Sequence, residues 1–452
     1  MKLRKIAALT LSGLMAASLT ACVGDTPTQT TAATAAATEA AVTAAEESKD
    51  ETAAPEKAED GSASSVKIGC IFPISGGSAE MGNLFKLGIQ MAVDEFNDNG
   101  GVKSMGGASI ELVWADSAGD PATGVTEIER LIVEQDVDCL LGPYNSNVGA
   151  STAPVAERYG VPYLLTNSNV DSILTNDYKY VFRANHANSD AAKNMVDQVV
   201  YMGEKNGSPV QSVAIVAENS DWGIGMAEAL KPLCEAAGIK CDIVETFSTN
   251  AADMSNIVIK LKEAKPDIVF AMCYLSDAQL LTTQMKEYGV KSTIFADGAG
   301  FVTSTYLESA GDLAEGNFAT AGWDVGAVEY KGAAAAALND KFKTDYSGGQ
   351  DLNEFSASGW LNASVMLSAI ERAGSADKEA IREALQSTDI GPNDHELSLH
   401  AYEGIKFGEV RGMTNQNIYS GKLIIQVQDG KYVLIGPNTL VTEDKFNWPV
   451  EH

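Results

Sequence analysis

The chain has 452 residues and sets 61 acidic against 32 basic side chains, a formal charge of −29. That excess argues against a nucleic-acid partner, which needs basic groups on phosphates, and suits a solvated, secreted surface. Six cysteines without a C-x-x-C pair leave no zinc or thiol-redox signature, so neither a metal nor another cofactor is expected.

Residues 1–22 read as a targeting segment. Lys2, Arg4 and Lys5 give a basic start, and the apolar run Ile6 to Leu19 is too short for a permanent span. The segment ends in Leu19-Thr20-Ala21-Cys22, which resembles a bacterial lipobox. Cys22 then becomes the first mature residue and carries lipid; the other reading is an ordinary signal peptide with a chance cysteine. Two acyl chains on one residue anchor a protein stably. The expected location is therefore the extracytoplasmic face of the cell membrane, held by a lipid anchor. No later stretch offers the roughly eighteen apolar residues of a membrane helix. Residues 23–65 are rich in Ala, Thr and Glu and almost free of large apolar side chains, the composition of a disordered tether.

From Val66 onward strands and helices alternate. The pattern predicts a strand at Val66–Phe72, a helix at Met81–Asn97 and a strand at Ile110–Ala115. A helix opening at Asp120-Pro121 runs to about Gln135. The alternation resumes with strands at Ser212–Ala217, Asp242–Thr246 and Ile268–Met272. Helices at Gly225–Ala237, Met254–Ala264 and Ala278–Tyr288 separate and follow them. Repeated β-α units in two runs predict an α/β protein of two Rossmann-like lobes with parallel sheets. Asp429-Gly430 between Lys422–Val427 and Lys431–Ile435 signals a late hairpin. Cys70, Cys139 and Cys273 lie in apolar runs and read as small core residues. Cys234 and Cys241 flank a helix end, and their spacing leaves pairing open.

The most informative stretch is Val137–Ala156. An apolar strand to Leu141 is stopped by Gly142-Pro143, and polar Tyr144-Asn145-Ser146-Asn147 precedes a helix from Val148 to Arg158. Free N–H groups at a helix start, with a serine hydroxyl, can hold a carboxylate or phosphate. Ser146 can equally be a plain helix cap. A second loop of the same kind, Thr166-Asn-Ser-Asn-Val-Asp-Ser172, follows the short strand Val161–Leu165. Both loops would face one ligand at the carboxyl edge of a parallel sheet.

Several short motifs then follow in order. They are Ile68-Gly69 with Pro73 and Ser75-Gly76, Ala92–Asn97 with Gly100-Gly101-Val102, Asp120-Pro121, and Gly142-Pro143 with Ser146. Pro154–Glu157, Gly160-Val161-Pro162, Phe182-Arg183, Asp221-Trp222-Gly223, Lys265-Pro266-Asp267 and Tyr288-Gly289 complete the series. In this order the chain resembles the leucine/isoleucine/valine-type substrate-binding proteins of ABC transporters, of the periplasmic-binding-protein type I fold. The resemblance implies a ligand cleft between two lobes joined by three crossings near Ala187, Gly322 and Tyr402. Lobe 1 would be 66–187 plus 322–401, and lobe 2 would be 188–321 plus 402–452. It also implies a monomer that captures a small amino acid, leucine, isoleucine or valine above all, and delivers it to the permease subunits of the importer. By the same resemblance Ser146 meets the ligand carboxylate, with help from Ser168 and Asn169. Trp222 and Tyr274 are aromatics of the opposite lobe, Asp297 pairs with the ammonium, and Met81 and Trp360 line the apolar side. The chain departs from the family where the second loop has Val170 for a hydroxyl-bearing Thr and Ser172 for a Pro, and where Met81 replaces an aromatic. A ligand-sensing lipoprotein, or a binder of another polar solute such as an amide, aromatic or carboxylic acid, is the alternative.

An enzyme needs a nucleophile and a base, and the chain has neither G-x-S-x-G nor H-E-x-x-H. Gly223-Ile-Gly225 lacks the third glycine of a dinucleotide fingerprint. No turnover of a ligand is expected. The anchor reading predicts that Cys22→Ser releases the protein from the membrane fraction and abolishes acyl labelling. Retention of both in the variant would contradict it.

Overall fold

The computed structural model describes residues 65–450 apart from residue 438. The targeting segment, Cys22 and the tether up to residue 64 lie outside the described residues, as does the end of the chain from residue 451.

The first run of β-α units is β1 (Val66–Phe72), α1 (Ala79–Asp98), β2 (Ile110–Asp116), α2 (Pro121–Val133), β3 (Cys139–Leu141), α3 (Ser146–Tyr159), β4 (Tyr163–Leu165) and β5 (Val181–Arg183). Strand β1 buries nearly every side chain, as a strand covered on both faces must. Asp120 caps α2 by accepting from the Thr123 N–H at 2.8 Å, with Pro121 in the first turn. The expected start at Asp120-Pro121 is observed. The helix expected from Val148 begins two residues earlier, at Ser146, so the Ser146 hydroxyl belongs to the first turn of α3.

The second run is α4 (Asn188–Lys205), β6 (Ser212–Glu218), α5 (Asp221–Ala236), β7 (Lys240–Phe247), α6 (Ser255–Ala264), β8 (Ile268–Met272), α7 (Leu275–Tyr288), β9 (Thr293–Asp297) and β10 (Phe318–Ala321). The chain then returns to the first lobe through the helix Glu354–Ala373. It adds the strands β11 (Asp389–Ile390), β12 (Ile405–Val410) and β13 (Met413–Asn417), and finishes with β14 (Leu423–Gln428) and β15 (Lys431–Gly436). The eight-stranded sheet has the order β11-β12-β13-β5-β4-β3-β1-β2, and the seven-stranded sheet β15-β14-β10-β9-β8-β6-β7. The β1–β5 pairings and the β6–β10 pairings are parallel. The expected Asp429-Gly430 hairpin joins β14 and β15 as antiparallel partners.

One boundary differs from the sequence reading. Residues 402–417 do not join the second lobe, because β12 and β13 hydrogen-bond into the first sheet, with Gln416 in register with Arg183. Gln416 accepts from Arg183 Nε at 2.6 Å and donates to the Asn185 carbonyl at 2.8 Å, which fixes β13 beside β5. The last passage between the sheets is therefore Ile418–Lys422 rather than Tyr402. The other two passages lie at Ala184–Ala187 and at Gly322.

The helix Glu354–Ala373 is buried over most of its length and lies against α1. A Cβ on Gly88 of α1 would sit 1.9 Å from the Ser356 carbonyl oxygen, so only glycine permits this approach. Asn353 caps the helix by accepting from the Phe355 and Ser356 N–H groups, both at 3.1 Å. Close packing and a fixed cap hold the first residue of that helix, Glu354, at the mouth of the first lobe. All five cysteines of the described residues are buried free thiols, Cys234 and Cys241 included.

Candidate functional site

The carboxyl ends of both sheets face each other across a closed cleft, the position at which open α/β sheets present ligand-binding loops. Tyr144, Ser146, Asn167, Asn169 and Glu354 from the first lobe enclose a small cavity with Trp222, Tyr274, Asp297 and Ala299 from the second. Lys422 from the last interlobe passage completes the wall. The cavity volume is about 20 Å³, space for roughly one water.

At one end the two polar loops meet. The Ser146 hydroxyl oxygen accepts from the backbone N–H of Asn169 at 3.0 Å and of Val170 at 3.4 Å. Its own proton is thereby turned away from the second loop. Val170, which lacks the family hydroxyl, thus contributes through its backbone. Behind this loop lies Arg183, fully buried, donating from Nη1 to the carbonyls of Ser168 and Val170, both at 3.0 Å. Burial lowers the Arg183 pKa to about 10, still well inside the charged range. A guanidinium that claims the loop carbonyls fixes the loop backbone and adds positive potential there. Ser168 is fully buried and spends its hydroxyl on the Asn145 carbonyl at 3.3 Å. Asn169 Nδ2 lies 2.9 Å from His186 Nε2, and burial, reinforced by Lys422, keeps that imidazole neutral.

Aromatic rings form the side walls. Tyr144 meets Tyr274 edge-on at 5.6 Å across the lobes, and Tyr274 lies 5.3 Å from Trp222. Asn145 Nδ2 donates to the Tyr274 hydroxyl at 3.3 Å, a further interlobe contact. Offset and edge-to-face rings of this kind exclude water and strengthen charge interactions beside them.

At the other end three charges converge. Lys422 Nζ lies 3.0 Å from Asp297 Oδ1 and 3.2 Å from Glu354 Oε1, and each of the three side chains is 2% exposed. Asp297 Oδ1 also accepts from Thr320 Oγ1 at 2.5 Å, and Oδ2 from Trp222 Nε1 at 3.1 Å. Burial alone would raise the Asp297 carboxyl, but Lys422 and the Thr320 hydrogen bond outweigh it and hold its pKa below 3.8. Burial opposes the Lys422 charge, and its two carboxylate partners outweigh that, so its pKa is raised. Glu354 is raised by burial, opposed only in part by Lys422. Three buried polar atoms on the cavity lining have no hydrogen-bond partner: Tyr144 OH, Asn169 Oδ1 and Glu354 Oε2.

Of the residues singled out from sequence, Ser146, Asn169, Trp222, Tyr274 and Asp297 come together on the cavity. Ser168 stands one layer behind. Met81 and Trp360 are fully buried in the first lobe and do not line the cavity; Trp360 packs on His395 at 5.2 Å. Glu354, Lys422, Tyr144, Asn167 and Arg183 were not anticipated in the site. Tyr144 and Asn167 sat inside the two polar loops, so the loop pattern held their signal. Lys422 is 125 residues from Asp297, and no local pattern marks that pairing.

A two-lobed α/β molecule with a polar cleft at facing sheet edges is built to bind a small solute. Residues 65–428 match the periplasmic binding protein family, and the chain belongs to that family. It is thus a solute-binding protein of the periplasmic-binding-protein type and not an enzyme. It is 28% identical over 406 residues to "Leu/Ile/Val-binding protein homolog 7" of Brucella abortus (strain 2308), covering 85% of this chain and 93% of that protein. Its fold is similar to that of a leucine binding protein LivK from Thermotoga maritima, with a TM-score of 0.70 and 22% identity over 82% of this chain and 97% of the other. It is equally similar to a solute binding protein of an R. palustris ABC transporter in complex with benzoate, with a TM-score of 0.70 and 19% identity over 82% and 96% of the two chains. Among the described residues no helix is long and apolar enough to cross a membrane.

The triad at the far end of the cleft carries a stability consequence. Lys422→Met leaves two buried carboxylates without a cation, a change that costs about 3–5 kcal/mol for a broken buried pair. In the wild type, the depressed Asp297 pKa contributes stability above pH 3.8 that is lost as the pH falls through the folded value. In the variant the two buried carboxylates face each other without a cation, so protonation relieves their repulsion, the sign reverses and stability is expected to be regained on acidification. Chemical denaturation of the two proteins at pH 7 and pH 5 checks this: the difference between them narrows at pH 5. A constant difference would contradict it.

Proposed function

We propose that this protein is the solute-capturing subunit of an ABC importer, tethered outside the cell membrane through lipid on Cys22. Its ligand is a small amino acid, with leucine, isoleucine and valine foremost, which it hands to the permease subunits. The observation that carries this reading is the two-ended polarity of one closed cavity. One end has the Ser146 hydroxyl and the start of α3, suited to a carboxylate. The other end has the carboxylates of Asp297 and Glu354, suited to an ammonium. Aromatic rings between them supply an apolar wall. The relative named for Leu, Ile and Val points the same way.

A cavity of about 20 Å³ is far smaller than any of these ligands, so the lobes part to admit one and close over it. The motion turns on the passages at Ala187, Gly322 and Ile418–Lys422. A second reading, a carboxylic acid without an amine, is favoured by the Lys422–Asp297 pair, which already neutralises one acidic group. The neighbour solved with benzoate is its counterpart.

A thermal-shift panel separates the two. Binding to the folded state stabilises by RT ln(1 + [L]/Kd), about 2.7 kcal/mol at a hundredfold excess over Kd. Leucine, isoleucine or valine are expected to raise the melting temperature and benzoate to leave it unchanged. A shift with benzoate and none with the amino acids would reverse the choice.

A further inference from the structure

Asp297 is the acidic group that the family resemblance pairs with a ligand ammonium, yet its charge is already matched inside the chain. Three donors hold it: Thr320 and Lys422 on Oδ1 and Trp222 on Oδ2. Lys422 cannot leave this place cheaply, because it is buried between two carboxylates. The triad of Asp297, Glu354 and Lys422 still has two negative charges and one positive. The uncompensated acceptor is Oε2 of Glu354, a cavity-lining residue; this oxygen is buried and has no hydrogen-bond partner. The approach to it is kept clear by a glycine. Gly298 has φ +50°, and a Cβ there would stand 2.7 Å from Glu354 Oε2 and 3.1 Å from Lys422 Nζ. Two further unpartnered acceptors, Asn169 Oδ1 and Tyr144 OH, line the same cavity. An ammonium presents three donors and no acceptor.

We propose that Glu354, and not Asp297, receives the ligand's ammonium, and that Lys422 is a built-in counter-ion that fixes Asp297 as part of the wall. This rests on the amino-acid reading above and names the residue that carries its selectivity. Glu354 and Ser146 both belong to the first lobe, so both charged ends of the zwitterion dock on one lobe. Trp222 and Tyr274 of the second lobe then close over it. Lys422 sets the specificity by lowering the acidity of the triad to a single net charge, matched to one ammonium. A ligand with two cationic groups is disfavoured.

Calorimetry with leucine and its desamino analogue, 4-methylpentanoate, tests the assignment. A hydrogen-bonded charge pair corresponds to about ten- to a hundredfold in affinity, so the wild type is expected to prefer leucine by that ratio. Glu354→Gln, which keeps the shape and an acceptor for Lys422, is expected to bring the ratio near one. The double variant Asp297→Asn with Lys422→Met removes the internal pair together and is expected to keep the preference. Gly298→Ala presses a methyl against Glu354 Oε2 and Lys422 Nζ, so these side chains must shift, and it is expected to weaken leucine more than 4-methylpentanoate. A preference that survives Glu354→Gln and vanishes in the double variant would return the ammonium to Asp297. It would overturn this assignment while leaving the amino-acid reading in place. A wild type that fails to bind leucine, or that binds both probes alike, would overturn both.

Discussion

The cleft depends on one buried ammonium. Lys422 sits on the last passage between the sheets and joins Asp297 at the end of β9 to Glu354 at the start of a first-lobe helix. The three residues belong to three separately positioned pieces of chain, one from each lobe and one from the connection. Transfer of such charges out of water is expensive, and mutual attraction repays it only with close geometry and satisfied neighbours. Trp222 and Thr320 supply those neighbours for Asp297. Glu354 keeps one oxygen without a hydrogen-bond partner.

The opposite end works by backbone. Short parallel strands end in a row, and α3 starts at the cleft. Arg183 takes the carbonyls of the second loop from behind, while Ser146 gathers two of its N–H groups in front. One fold therefore places a helix start with a serine hydroxyl and a pair of carboxylates across a gap lined by aromatic rings. In such a gap the low local dielectric strengthens charge interactions.

Local pattern made much of this legible. Alternating strand and helix periodicities marked the parallel lobes, and two consecutive polar loops after short apolar strands marked Ser146 and Asn169. Asp297 and the aromatics Trp222 and Tyr274 followed from a family resemblance whose motifs are themselves loop residues at strand ends. What stayed hidden is non-local. Glu354 and Lys422 stand in stretches with no motif, and only tertiary packing brings them to Asp297. Met81 and Trp360 were misplaced because an apolar residue looks alike in a core and in a pocket; both are fully buried in the first lobe. The return of β12 and β13 to the first sheet depends on the Arg183–Gln416 contact across 233 residues, which no periodicity encodes.

The central claim is that this cleft closes around one small zwitterion. The most direct measurement is the identity of the solute that the protein carries when it is purified gently and then unfolded. Mass spectrometry of the released fraction, set against the amount of protein, is predicted to give an unmodified small α-amino acid at up to one per chain. A released acid without an amine, or a chemically altered product that accumulates with time, would contradict the account.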